Sequence, residues 1–418
     1  MKERYYLAID LKSFYASVEC IDRKLDVMTT RLVVADPERK RGTICLAITP
    51  AMKALGVKNR CRIFEIPPDI DYIVAPPRMK RYIQVSAEIY EIYLSFVDKE
   101  DIHVYSIDEA FLDVTSYLSL YNLTPRQLAQ AIIDKIYKKR GLRATCGIGT
   151  NMYLAKVALD ILAKHSPDFI AQLDEESYKK RLWSHRPLTD FWRIGYGTAK
   201  HLNSLGIFTQ EDIAKTPPQI LLKEFGAQSE FLIDHAWGLE PCTIAEIKNY
   251  KQKSHSLSAG QVLMRDYTFD EGLIIVKEMA NQLSLDMVAA NVVSNNLSLY
   301  VGYSYNTMPS SGGSTTLQVT TNSVRIITDA FTQIYKNIVP KDSLVRRLNL
   351  SANSIVSDSF EQYSFFVDPT IMEKDRNISQ SVNALKSKFG KNAVLKGTDL
   401  QDAATTIERN SQIGGHKA

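Results

Sequence analysis

Long apolar runs are missing from this chain: nowhere do about 18 uncharged hydrophobic residues follow one another, the length a membrane-spanning helix needs. The opening MKERYYLAIDLK lacks the apolar stretch of a secretory leader, so the expectation is a soluble cytoplasmic protein with no membrane partner. Cysteine is scarce. The five residues Cys20, Cys45, Cys61, Cys146 and Cys242 are odd in number and show no CxxC spacing, which argues against a zinc site and a disulfide framework and for a reducing compartment. An excess of one charge is also nearly absent, with 51 Lys+Arg against 47 Asp+Glu. Any anionic partner must therefore be met by local patches and not by a global field.

What is present starts with size. A chain of 418 residues, 45% hydrophobic and 23% charged, should form several domains and bury a substantial core. Within it, YSIDEAFLDV (105–114) sets two adjacent carboxylates, Asp108 and Glu109, between strand-like stretches 103–107 and 110–115. An acidic pair between strands is by default a solvated turn, but flanks this close make it the tip of a tight hairpin. Tyr5 to Ile9 is a short apolar strand that ends in another carboxylate, Asp10, before a helix from about Ser13. Further on, TPRQLAQAIIDKIYKKRG predicts a helix with Thr124 as N-cap, Pro125 in the first turn, Gln127 closing a capping box and Gly141 as the stop. A strand at 142–149 follows.

The order strand, helix, long insertion, strand, strand, helix, strand is the split βαβ or ferredoxin-like arrangement. It lays the first strand beside the hairpin, so that Asp10 and Asp108 face each other across neighbouring strands. Carboxylates so placed suit two divalent cations and in-line phosphoryl transfer, a device that polymerases share with nucleases. Asp113, on the same strand face as Glu109 but back from the tip, reads as a structural hydrogen-bonding residue. The insertion 13–78 carries basic stretches, PERKRG and KNRCR, closed by prolines. Residues 174–243 read as helical, with two short helices around Gly195 and Gly197. After the polar run IKNYKQKSHS, a second block from about 255 repeats the β, α, β, β, α, β order, with YNTMPSSGGST (305–315) as a hairpin loop. The last ~45 residues hold one helix-like stretch, SQSVNALKSKFG, and a Gly-Gly near the end, and partial disorder is expected there.

Four ordered motifs, AIDLKSFYASVE, YSIDEAFLD, GIGTNMYLAKVA and WRIGYGTAKHLNSLGI, resemble those of the Y-family DNA polymerases, with the bacterial UmuC type as the nearest branch. The likeness spans roughly residues 5–365. It implies an α+β right-handed polymerase with a ferredoxin-like palm (1–12 and 79–173), small fingers (13–78), a helical thumb with a helix-hairpin-helix (174–243), a linker (244–254), a βαββαβ little finger (255–365) and a C-terminal tail (366–418). The implied activity is template-directed, low-fidelity lesion bypass that transfers a nucleotide from dNTP to a primer 3′-OH with two Mg²⁺, Mn²⁺ being an alternative. The competing readings are a catalytically inactive DNA-binding scaffold of the same fold and a metal-dependent nuclease.

By the same resemblance Asp10, Asp108 and Glu109 are the catalytic metal carboxylates, with the Leu11 carbonyl as a further ligand. Lys156 contacts the incoming triphosphate, Tyr15 is the steric gate against a ribose 2′-OH, and Phe14 packs beside it. Where many relatives carry Tyr-x-x-Arg on the fingers, this chain has Pro50 and Lys53. A lysine still neutralises phosphate but loses the bidentate fork, and Lys at this place is a UmuC-type feature. Gly195, Gly197 and Lys200 would meet a DNA phosphate through backbone N–H groups and a helix N-terminus. Lys253, Arg265, Arg346 and Arg347 are the candidate contacts of the little finger, which is otherwise near neutral. The run QYSFF resembles a bacterial sliding-clamp peptide, with Gln362, Phe365 and Phe366 as its anchors. A UmuD-like subunit and a RecA filament are further candidate partners, consistent with a role in DNA repair and the SOS response.

Overall fold

Five uncharged, largely apolar residues before Asp10 lead into a strand, β1 (Tyr6–Leu11), buried along nearly all its length. In the computed structural model, residues 4–251, 255–305, 307–358 and 369–418 are described, and the chain divides into two units, Met1–Tyr250 and Lys251–Ala418. After β1, Ser13 turns the chain in the left-handed region at φ 50° and α1 (Phe14–Asp22) begins. The insertion then adds short pieces: β2 (Leu32–Val34), β3 (Ala47–Ile48), α2 (Pro50–Ala54) and β4 (Ile73–Ala75), the strands ordered β3-β2-β4. Val33, Cys45, Ile48, Met52, Val57, Cys61 and Ile66 fill its small core.

The chain returns through α3 (Met79–Leu94), β5 (Ile102–Val104), β6 (Glu109–Asp113), α4 (Tyr117–Tyr121), α5 (Pro125–Arg140), β7 (Ala144–Gly149), α6 (Met152–Val157) and β8 (Ile170–Leu173). The sheet runs β5-β6-β1-β7-β8. Strand β1 is antiparallel to both β6 and β7, so the crossovers β1 to β5 and β6 to β7 each straddle one strand, which is the split βαβ pattern. The α5 signals act as read: Thr124 Oγ1 accepts from Gln127 N, Gln127 Oε1 accepts from Thr124 N, and Gly141 ends the helix at φ 67°. Two glycines of β7 are needed for a close approach. A Cβ at Gly147 would stand 2.0 Å from Ala155 O and one at Gly149 2.2 Å from Ala155 N, so the backbone of α6 lies directly on the sheet.

Helices α7 (Glu175–Leu182), α8 (Tyr196–Ser204), α9 (Gln210–Lys215), α10 (Pro218–Phe225) and α11 (Gln228–Ala236) follow. Their core of Tyr178, Phe191, Leu202, Ile213 and Leu221 includes Leu154 of α6. Residues 244–249, read as the start of a linker, instead form α12 (Ile244–Asn249), capped reciprocally by Thr243 and Glu246. Ile244 and Ile247 pack with Tyr6, Ala8 and Phe111. The polar composition of this stretch hid a two-residue apolar stripe.

In the second unit β9 (Ser256–Tyr267), α13 (Phe269–Ala289), β10 (Val292–Tyr303), β11 (Ser311–Thr321), α14 (Val324–Ile338) and β12 (Val345–Asn353) keep the expected order. The sheet is β11-β10-β12-β9, with a short β13 (Val356–Ser357) on β10. Its apolar face packs on α13 and α14 through Leu263, Met279, Leu299, Phe331 and Leu350. Residues 311–315 belong to β11 and not to the hairpin loop, and Gly313 there lets Ile338 approach to 2.9 Å of where a Cβ would be.

At the end of the chain the helix-like stretch from Ser379 falls, up to Phe389, within a longer helix, and more elements follow it than expected. Residues 369–418 form α15 (Pro369–Phe389), α16 (Thr406–Asn410) and a hairpin of β14 (Gln412–Ile413) and β15 (His416–Lys417). The buried Glu278 carboxylate of α13 accepts from Thr405 N at 3.0 Å, Thr405 Oγ1 at 3.2 Å and Thr406 N at 3.1 Å, and Ala403 joins the core. One buried acid supplies the anchorage that an apolar count misses. Among the described residues no helix is long and apolar enough to cross a membrane.

Candidate functional site

The palm sheet gathers the first acids. Asp10 near the end of β1 is the register partner of Glu109, the first residue of β6, and not of Asp108 as the topology led one to expect; Asp108 precedes the strand, and its carbonyl accepts from Leu11 N at 2.9 Å. Asp108 itself lies in the turn, where Ser106 Oγ donates to its Oδ1 at 2.7 Å. Asp113 takes the structural role read for it, its Oδ1 accepting from Thr115 N at 3.0 Å.

Asp10 and Glu109 share a poorly solvated space. Burial, reinforced by Asp108 and Glu109 and opposed by Lys164, pushes the Asp10 carboxyl up to about 7. Burial also raises Glu109, against the pull of Lys156. Two lysines answer this charge. Lys156 Nζ stands 2.5 Å from Glu109 Oε1 and 3.0 Å from Asp160 Oδ2. Lys164 Nζ stands 2.8 Å from Asp160 Oδ1 and 3.8 Å from Asp10 Oδ2. For Lys156, burial favours the neutral form but Asp160 and Glu109 outweigh it, so its pKa rises.

As the side chains stand, no three acidic, histidine or cysteine groups among the described residues converge on one point as a metal cage. The chemistry of the site nevertheless fits hard divalent cations. Its donors are carboxylate oxygens on the neighbouring strands β1 and β6 and on the turn that leads into β6, their charge is only partly neutralised, and ammonium groups sit beside them.

Around the acids, Tyr15 on α1 stacks on Tyr82 of α3 with centroids 4.3 Å apart and an interplanar angle of 16°. Phe14, buried, contacts both rings. Burial raises the Tyr15 phenol, with the Asp108 charge adding and Arg60 opposing, so Tyr15 and Asp108 are within electrostatic reach. Tyr82 Oη donates to Glu19 Oε1 at 2.7 Å. That wholly buried carboxylate is also held by Arg78 Nε at 2.8 Å and by Arg23. Lys53 of α2 is lowered by burial, and Asp10 opposes the shift. The structure thus collects Asp10, Asp108, Glu109, Tyr15, Phe14, Lys53 and Lys156 about one place.

The other candidates lie elsewhere. Gly195 is the N-cap of α8, no acidic residue occupies the first turn, and a Cβ at Gly195 or Gly197 would meet nothing within 4 Å. Lys200 on the same helix is exposed. In the second unit Arg347 is exposed with its guanidinium over Tyr300, Arg265 pairs with Glu271 at 2.6 Å, and Arg346 stands 3.7 Å from Asp266. Lys253 and the segment with Gln362, Phe365 and Phe366 lie outside the described residues.

Sequence reasoning missed Asp160, Lys164, Ser106, Tyr82 and Glu19. The first two carried a signal, since Lys156, Asp160 and Lys164 are spaced four apart and so share a helix face. Tyr82 and Glu19 carried none, because their meeting depends on α3 packing against α1.

A strand-end acid facing a hairpin acid pair on a split βαβ sheet, with a helical bundle after it and a second βαββαβ unit, defines a polymerase of the palm type. Comparison with known proteins agrees. The impB/mucB/samB family matches residues 9–160, and the C-terminal domain of that family matches residues 254–365. The chain is 33% identical to the putative UV-damage repair protein UvrX of Bacillus subtilis (strain 168), over 99% of this chain and 97% of that protein. It is 31% identical to DNA polymerase IV 2 of the same organism, over 100% of this chain and 99% of that one. Among solved structures, the Y-family DNA polymerase chimera Dbh-Dpo4(243-245)-Dbh shares the fold at a TM-score of 0.66 and 22% identity, covering 84% of this chain and 99% of that one. The chain belongs to the impB/mucB/samB family and is a Y-family DNA polymerase.

Proposed function

We propose that Asp10, Asp108 and Glu109 are the metal-binding carboxylates of this translesion DNA polymerase, with Mg²⁺ as the resident ion, Mn²⁺ as a substitute and the Leu11 carbonyl as a further ligand. The observation that carries the assignment is the Asp10–Glu109 register pair, next to the Asp108 turn, with Asp10 raised by burial and by the two other acids. A pair of divalent cations at such a site supplies activation of the primer 3′-OH and neutralisation of the leaving phosphate.

The chain's own residues do the rest. Tyr15, backed by Tyr82 and Phe14, fills the volume a ribose 2′-OH would need. Lys53, Lys156 and Lys164 surround the acids with ammonium groups suited to a triphosphate. Lys53 in place of an Arg supports a UmuC-type member. The bare glycine backbone at the start of α8 suits a DNA phosphate, with Lys200 beside it. In the second unit, Arg265, Arg346, Arg347 and Lys253 are the proposed DNA contacts, and on the open face of its sheet Asn353 Nδ2 bonds Asn296 Oδ1 and Ser298 Oγ. Small polar groups of this kind suit a backbone grip without sequence readout.

Residues 13–78 are the proposed fingers, 174–243 the thumb and 255–365 the little finger. A sliding clamp engaging Gln362, Phe365 and Phe366, and a UmuD-like subunit or RecA filament, are the proposed protein partners, with action at the nucleoid. The test is primer extension by the purified chain, with Mg²⁺ and four dNTPs, on undamaged and abasic templates, beside Asp108→Ala. The variant should bind primer-template nearly as wild type and fail to extend it. Residual synthesis within about tenfold of wild type, a barrier change of only ~1.4 kcal/mol, removes Asp108 from the metal site.

A further inference from the structure

Each of the two lysines beside the acids has two carboxylate partners, one on the palm strands and one that both share. Lys156 is divided between Glu109 and Asp160, and Lys164 between Asp10 and Asp160. Asp160 is thus the only one of the three acids that holds both ammonium groups, one per oxygen. It comes from neither the hairpin nor β1.

The local backbone makes this sharing feasible. A wide π-turn, Ala158–Leu162, follows α6 directly. On a regular α-helix, residues eight apart would diverge by about 80° around the axis. The wide turn holds more residues per revolution, which reduces that divergence and brings Lys156 and Lys164 to one carboxylate. Such turns are frequent at functional sites.

An ammonium resting on Asp10 or Glu109 occupies an oxygen that a divalent cation needs. If either lysine simply left, two like charges would stand close together without a counter-charge, which poorly solvated surroundings penalise. We propose that Asp160 is a positioning residue that takes up both lysines when Asp10 and Glu109 turn to metal, and holds them in register for an incoming triphosphate. The proposal rests on the metal-site reading above. Replacing Asp160 by a neutral group leaves the lysines only Asp10 and Glu109 to pair with, so they compete with metal directly and meet the triphosphate out of place.

The experiment uses the full chain as wild type, Asp160→Asn, Asp160→Glu and Asp108→Ala. Three readouts are taken: Mn²⁺ binding without nucleotide by electron paramagnetic resonance, KM and kcat for single-nucleotide incorporation, and thermal unfolding. Asp160→Asn should weaken Mn²⁺ binding and raise the dNTP KM about tenfold, the size of one charge-assisted contact, with kcat nearly unchanged. Asp160→Glu should restore most of both. Unchanged Mn²⁺ affinity and KM in Asp160→Asn overturn the proposal. A fall in kcat alone, or in thermal stability with KM unchanged, overturns it too, because it assigns Asp160 a different role. An active Asp108→Ala sinks the metal-site reading itself, whereas an inactive Asp108→Ala beside a normal Asp160→Asn sinks only the role given to Asp160.

Discussion

The Tyr15 ring, the proposed gate, is backed by a second, buried ring. Tyr82 is fully buried, stacks on Tyr15 at 4.3 Å and is pinned by its hydroxyl to Glu19. Replacing Tyr82 by Leu keeps an apolar side chain there but removes the stack, so the gate tilts more freely. An aromatic pair contributes about 0.5–1.5 kcal/mol beyond burial. If that orientation energy is what resists a 2′-OH, discrimination between dNTP and rNTP should fall roughly two- to twelvefold, at about 1.4 kcal/mol per factor of ten. Tyr82→Phe is the matched control. It keeps the ring and loses one hydrogen bond to a buried carboxylate, worth about 1.5–3 kcal/mol, towards the lower end because Arg78 and Arg23 still hold Glu19. Its effect should appear in thermal unfolding and not in selectivity. The assay is the ratio of kcat/KM for dCTP and CTP opposite template G, with Tyr15→Ala as the fully opened gate. Wild-type selectivity in Tyr82→Leu refutes the reasoning, and so does a loss as large as that of Tyr15→Ala, since the stack would then be either idle or the gate itself.

Three further outcomes are expected. Gly197→Ala should leave the melting temperature unchanged, because its Cβ meets no protein atom within 4 Å, but weaken primer-template binding in a fluorescence anisotropy titration; equal affinity removes this turn from the DNA interface. Glu278→Ala strands the donors of Thr405 and Thr406, so hydrogen exchange across 390–418 should accelerate in line with about 1–3 kcal/mol of lost local stability. Unchanged protection there would show that other contacts anchor the C-terminal segment. Changing Gln362, Phe365 and Phe366 together to Ala should spare synthesis on short linear primers and remove stimulation by a loaded sliding clamp, which tethers by raising the effective concentration at the primer end; stimulation equal to wild type excludes this segment as the clamp peptide.

Much of the palm was legible because its signals are local. The Thr124 to Gln127 box and Gly141 acted as read, and the β, α, β, β, α, β order placed β1 beside β6, although the register sets Asp10 opposite Glu109 and not opposite Asp108. Lys156 was reached only through family resemblance, and its company was not foreseen. Asp160 and Lys164 follow it at helical spacing, yet whether that face meets the acids depends on Gly147 and Gly149 letting α6 settle on β7. The Tyr15–Tyr82–Glu19 cluster joins Glu19 to a residue 63 positions away in sequence, and no local pattern announces it. In the C-terminal segment the helix-like stretch was legible and lies in α15, but the docking of 403–406 was not, for a related reason. Its anchor is a buried acid on α13 receiving backbone donors, and such a contact leaves no hydrophobic period behind.

The insertion between α1 and α3 rests on strands of 3, 2 and 3 residues and a core of a few small side chains. So little buried area makes for a cooperative unit of low opening free energy, whereas the five-stranded palm sheet must hold its carboxylates to within fractions of an ångström. With this insertion as the proposed fingers, it would yield to a distorted template base by local breathing while the sheet beneath stays rigid. Tolerance of damage then becomes a matter of where in the molecule stability was left thin.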